Sequence, residues 1–98
     1  MYAVVFTAEL KQLDENYLRT ASLLRQLALE KYGCREFTAV TEGSKEIAVS
    51  LWDSEEQIRR WKQDTEHLRA QATGKEHWYS HYRVMVTKIE REYQQQSG

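Results

Sequence analysis

Between Trp61 and Tyr82 the chain gathers the side chains best able to do chemistry: two of its three tryptophans, all three histidines (His67, His77, His81), Tyr79 and Tyr82. Rings at this density can wall a concave pocket for a flat, apolar ligand. They serve equally well as core and rim aromatics in a small domain short of core volume. His77 and His81 stand four apart, the spacing of metal-binding pairs on a helix face. No Glu lies inside that pair and no third ligand is indicated nearby, so neither a metal nor another cofactor is expected. On an uninterrupted helix His67 points away from Ile58 and Trp61, toward solvent; a break near Gln63-Asp64 would leave its direction open.

Other reactive residues have bland explanations. Cys34 follows a glycine and neighbours Arg35, but no Cys-His motif accompanies it, which suits a packed thiol. Arg59, Arg60 and Lys62 are surrounded by Glu55, Glu56, Asp64 and Glu66, as on a solvated helix face. Glu55-Glu56 fall where a helix start favours negative charge. Phosphate-binding glycine loops, nucleophile elbows and dinucleotide fingerprints are absent from the sequence.

The elements that must position these residues can be read from period and caps. Tyr2–Leu10 is β-branched and aromatic, a first strand. Asp14 caps a helix, with Leu13 placed to staple against Leu18. That helix carries Tyr17, Leu18, Ala21, Leu24, Ala28 and Tyr32 on one side and Glu15, Arg19, Ser22, Gln26 and Glu30 on the other. Gly33 is its left-handed stop. Glu36–Glu42 and Glu46–Trp52 read as a hairpin turning at Gly43-Ser44. Ser54-Glu-Glu-Gln57 is a capping box. It opens a second helix with Ile58, Trp61, Thr65, Leu68 and Ala72 inward, ending at Gly74. Tyr82–Tyr93 is the last strand, and 94–98 form a polar tail. Residues 1–93 make one domain.

The order β-α-β-β-α-β predicts an α+β, ferredoxin-like unit: one antiparallel sheet with both helices on one face. Yet the strands are apolar on both faces. Val4, Phe6 and Ala8 alternate with Ala3 and Val5; Ile47, Val49 and Leu51 alternate with Ala48, Ser50 and Trp52; Val84 and Val86 alternate with Met85 and Ile89. One chain's helices can cover only one face. A second copy is expected to cover the other, giving a homodimer.

Composition bounds the partners. The net charge of −1 gives no general attraction for nucleic acid or anionic lipid. No apolar run approaches a bilayer span, and Met1–Leu10 lacks the flanks of a signal peptide. The single cysteine rules out an intrachain disulfide and suits a reducing cytoplasm.

Trp52-Asp-Ser-Glu-Glu, then Trp61-Lys, Glu66-His67, Ala70-Gln71, Gly74, Trp78-Tyr79 and Glu90-Arg-Glu-Tyr93 resemble the antibiotic biosynthesis monooxygenase domain across nearly the whole chain. The resemblance implies a dimeric α+β barrel with its sheets face to face, and a pocket in each protomer between helices and sheet. Members of that family include cofactor-independent enzymes that oxidise polycyclic aromatic phenols to quinones with molecular oxygen, and others that degrade heme. The heme-degrading branch uses an Asn near the end of the first strand and a His about ten residues after the helix Trp. Here those places hold Val5-Phe6-Thr7-Ala8 and Gln71, so heme degradation is disfavoured. By the same resemblance Trp61 is a pocket residue; Trp78 and Phe6 join it as ligand-contacting candidates. His67, Tyr79 and Tyr82 are the candidates for holding or deprotonating a phenol. The reading is thus a monooxygenase-like homodimer for a small hydrophobic aromatic or quinol-type molecule. The alternatives on the same fold are a non-enzymatic ligand-binding or stress-response dimer, or a dimerisation module whose pocket is filled by side chains.

Overall fold

A computed structural model describes residues 1–96. Its elements are β1 (Tyr2–Leu10), α1 (Glu15–Glu30), β2 (Glu36–Glu42), β3 (Lys45–Trp52), α2 (Glu55–Lys62), α3 (Thr65–Thr73), one π-helical turn (Gly74–Trp78) and β4 (Tyr79–Lys88). The strands form one antiparallel sheet in the order β2-β3-β1-β4, the ferredoxin-like topology.

Local chemistry sets most boundaries. Asp14 caps α1 by accepting from the Tyr17 amide at 2.8 Å. Leu13 and Leu18 both remain more than half exposed, so Leu18 does not join the core as the period suggested. Gly33 takes φ +81°, and a Cβ there would come within 2.6 Å of the Gln57 side chain, so only glycine suits the exit from α1. Ser54 and Gln57 form the reciprocal capping box that starts α2.

Three expectations need correction. The second helix is not continuous: the chain breaks at Gln63-Asp64 and restarts as α3. Asp64 caps the new helix by accepting from the Glu66 amide at 2.9 Å, and it is held in place by the Tyr32 hydroxyl at 2.5 Å. The restart changes the helical phase, so His67 and Ala70 are buried while Thr65, Leu68 and Ala72 are exposed. Gly74 does not end the run. It is right-handed and buried, and the chain continues through the π-helical turn. β4 covers Tyr79–Lys88, so the final strand starts earlier and stops sooner than Tyr82–Tyr93. Residues 89–96 carry no regular structure, and residues 97 and 98 of the expected tail lie outside the described residues.

Register assigns the two faces of the sheet. Val4, Phe6 and Ala8 pair with Ser50, Ala48 and Glu46 on β3 and with Val86, Val84 and Tyr82 on β4. This set faces the helices. Val4, Ala28, Cys34, Trp52, Ile58 and Trp61 form the buried core at that layer. The opposite face carries Val5, Val49, Leu51, Ile47, Val40 and Met85, with Val40 60% and Ile47 45% exposed. No described helix is long and apolar enough to cross a membrane.

Candidate functional site

A cleft of about 360 Å³ lies between the helices and the sheet. Its floor is Val4, Phe6, Ala48 and Val84. Tyr17, Ala21 and Leu24 come from α1; Trp61 from α2; His67 and Ala70 from α3; Trp78, Tyr79 and Tyr82 from the π-helical turn and β4. The fold therefore brings all six sequence-proposed residues, Phe6, Trp61, His67, Trp78, Tyr79 and Tyr82, to one space. The break at Asp64 is what adds His67, since a continuous helix would have turned it outward.

The aromatic walls are interlocked. Trp61 lies 5.2 Å from Trp52 and packs edge-on to Phe37 at 6.1 Å and to His67 at 4.4 Å. Its indole N–H donates to the Leu24 carbonyl at 3.1 Å, fixing the ring against α1. At the other end Phe6 stacks on Tyr82 at 6.1 Å and meets Tyr79 edge-on at 5.5 Å. Tyr17 packs edge-on to Trp78 at 5.2 Å. Gly74 makes this end close: a Cβ there would sit 2.6 Å from the Tyr79 ring.

Among the described residues, two polar side-chain atoms are buried without a hydrogen-bond partner, and both belong to the lining. His67 is 9% exposed and its Nδ1 is buried without a hydrogen-bond partner. Burial holds its pKa below the usual imidazole value, assisted by the positive charge of Lys62, so near pH 7 the ring is neutral. Glu46 is 8% exposed and its Oε2 is likewise buried and unpartnered. Burial raises its carboxyl pKa. Tyr79 is held firmly in its phenol form, by burial first and then by the neighbouring Glu46 carboxyl.

The other candidates fall elsewhere. His77 lies in the π-helical turn and His81 on β4; both are exposed and they share no helix face, so the pair cannot act as a helical metal clip. Cys34 is buried, its thiol donates to the Glu36 carbonyl at 3.1 Å, and burial pushes its pKa up, which marks it as packing.

With this geometry in view, the likenesses to known proteins are informative. No family model matches the chain. The uncharacterized protein YqjZ of Bacillus subtilis is 36% identical over 92 residues, which span 93% of this chain and 81% of YqjZ. The chain belongs to the YqjZ family. Among solved structures, Rv0793 from Mycobacterium tuberculosis superposes with a TM-score of 0.79 at 16% identity, over 95% of this chain and 98% of that one. SnoaB, a cofactor-independent oxygenase from Streptomyces nogalater, gives 0.76 at 10% identity, over 93% and 94%. An antibiotic biosynthesis monooxygenase gives 0.68 at 12%, over 93% and 100%. The fold is therefore that of the antibiotic biosynthesis monooxygenases, as the motif resemblance implied.

Sequence reasoning missed Glu46 among the cleft residues. The signal was present but inverted. Glu46 is in phase with Ala48, Ser50 and Trp52, and the alternative set, Ile47, Val49 and Leu51, is the more hydrophobic one. Hydrophobicity alone would put the aliphatic set under the helices, whereas the fold turns it to the open face.

Proposed function

We propose that the protein is a cofactor-independent, monooxygenase-like homodimer acting on a small hydrophobic aromatic or quinol-type molecule held in this cleft. The observation that carries the reading is a largely apolar, aromatic-walled cleft containing a buried, neutral histidine with a free ring nitrogen. His67 Nδ1, as the unprotonated nitrogen, accepts the proton of a phenol lying against Trp61, which raises the electron density of the ring. Molecular oxygen is the oxidant. One oxygen atom enters the ring position opposite the hydroxyl, the other leaves as water, and phenol plus O₂ balances as quinone plus H₂O. The lining of Phe6, Trp61 and Trp78 excludes bulk water and orients the ring plane. The hydroxyls of Tyr79 and Tyr82 donate hydrogen bonds to the ligand's oxygen substituents.

Dimerisation belongs to the same reading. The aliphatic open face has a composition suited to burial, and a second copy offers an identical apolar surface.

The test is oxygen uptake with a panel of two- to four-ring phenols and quinols. Uptake coupled one-to-one to quinone formation, and lost in His67→Ala, is the expected result. Ligand binding without uptake would favour the non-enzymatic binding protein, and no binding of any member would end both readings.

A further inference from the structure

Glu46 occupies a place where folding alone gives a carboxyl no use. It stands on β3 between Ala8 of β1 and Thr41 of β2, turned to the helix side. Its Oε2 is buried with no partner, and no ion pair involves it among the described residues. A buried polar atom left unpaired opposes folding, so each such atom in a native structure asks for a cause. Two such side-chain atoms occur among the described residues, Glu46 Oε2 and His67 Nδ1, and both residues line the same cleft.

Register and ring contacts set them toward different parts of it. Along β3, Glu46 is four residues from Ser50, roughly 13 Å at strand rise. Ser50 pairs with Phe37, against which Trp61 packs, and His67 abuts Trp61. Glu46 instead lies across Ala8 from Tyr82 and close enough to Tyr79 for its charge to be felt there, and the two tyrosine rings lie 5.7 Å apart. The apolar floor includes Phe6, Ala48 and Val84. The charged residues that line the cleft besides Glu46 are Arg25 and Lys62; it is His67, not Glu46, that feels the Lys62 charge.

We propose that Glu46, flanked by Tyr79 and Tyr82, is the second polar anchor of the cleft, and that the ligand is a flat, uncharged aromatic with a hydrogen-bond donor at each end. This rests on the reading of the cleft as a ligand site and names its ligand class. One donor meets His67 and the other meets the Glu46 carboxyl; the ring system covers the floor. An anionic ligand is rejected, because it would bring negative charge beside a carboxyl that has no cation to balance it.

Four three-ring probes test this by quenching of tryptophan fluorescence at pH 6: 2,6-dihydroxyanthraquinone, 2-hydroxyanthraquinone, 2,6-dimethoxyanthraquinone and anthraquinone-2,6-disulfonate. Being already oxidised, they report binding without turnover. The dihydroxy probe should bind roughly tenfold or more tighter than the dimethoxy probe, as two satisfied buried groups require. The disulfonate should bind weakest. In Glu46→Leu the dihydroxy probe should lose its advantage over the monohydroxy probe, while Glu46→Gln, which keeps a hydrogen-bonding amide, should retain much of it. Glu46→Leu should also melt at a higher temperature than the parent. Equal binding of dihydroxy and dimethoxy probes would overturn the proposal while leaving the ligand cleft standing. So would undiminished discrimination in Glu46→Leu, or a fall in its melting temperature, which would make Glu46 structural. Failure of all four probes to bind would remove the ligand cleft itself and the anchor with it.

Discussion

Trp52 and Trp61 are neighbours in the same core, with ring centroids 5.2 Å apart, yet truncation should affect them differently. Trp52 is fully buried and its indole donates to the Ser50 hydroxyl at 2.9 Å. Trp52→Ala leaves an enclosed hole, in the range of about 3–5 kcal/mol for a buried Trp. It also strips the partner from a nearly buried serine, worth about 1 kcal/mol more. A loss near 5 kcal/mol follows, comparable to the whole stability of a marginal domain of this size. Trp61 is also buried, but one side of its ring borders the 360 Å³ cleft. The space left by Trp61→Ala merges with that cleft and can take up water. The Leu24 carbonyl lies mid-helix and keeps its helical partner. About 3 kcal/mol is expected, and Trp61→Phe, which gives up the indole hydrogen bond but keeps a ring, should cost less than about 1.5 kcal/mol. Urea titrations at one fixed protein concentration measure both, since association would otherwise shift the midpoints. A loss at Trp61→Ala equal to or above that at Trp52→Ala would show Trp61 to be plain core, and the reasoning that makes it a cleft wall would fail.

Three further outcomes follow from the same geometry. Because burial raises the folded pKa of Glu46, the folded chain binds its proton more tightly than the unfolded one; stability from this residue is present below the ordinary carboxylate value of 4.5 and is lost as pH rises through the folded value. The stability difference between parent and Glu46→Gln should therefore fall over that window, Tyr79 staying neutral and His67 cancelling between the two proteins; a flat difference contradicts the burial. Val49→Lys, at the centre of the open sheet face, should convert a dimer with an interface of roughly 2,000 Å² to monomer or unfolded chain in a light-scattering dilution series; a parent that is a stable monomer at micromolar concentration refutes the dimer. Asp64→Ala should cost about 1 kcal/mol as a lost cap. It should also let His67 move outward, so that its NMR titration shifts up toward 6.5. Loss of the Asp64 charge alone would shift it down, so the direction separates repositioning from electrostatics.

Much of the scaffold was legible because it rests on local rules. Asp14, Gly33, the Gly43-Ser44 turn and the Ser54–Gln57 box each satisfy or redirect backbone within a few residues, and the structure places all four as the sequence indicated. The break between α2 and α3 was left open by the sequence, which offered both an unbroken stripe and a break near Gln63-Asp64. Ile58, Trp61, Thr65 and Leu68 fit one unbroken helical stripe. At the break Asp64 caps the new helix, and a distant partner, the Tyr32 hydroxyl thirty-two positions away, holds that cap in place. The restart at this cap, rather than the apolar period, is what turns His67 into the cleft.

The open sheet face explains why the second polar anchor was harder to see than the aromatic walls. Binary patterning assigns a strand's more apolar side to the core of its own chain. In β3 the aliphatic side, Ile47, Val49 and Leu51, is turned away from the helices, while Glu46, Ala48, Ser50 and Trp52 line the interior. That inversion fits a sheet with two different tasks. One face is left apolar, free to meet another sheet. The other makes room with a small residue, Ala48, and carries one acid, Glu46, at the space it leaves. Ala48 lies in the floor of the cleft, and Trp52 closes the core beside it. A larger aliphatic residue at 48 would pack into the cleft, turning a ligand site into an ordinary core. On this view Ala48→Leu should stabilise the fold while removing probe binding, because both effects come from filling the same volume. A stable Ala48→Leu variant that still bound 2,6-dihydroxyanthraquinone as tightly as the parent would show that the ligand does not use this floor.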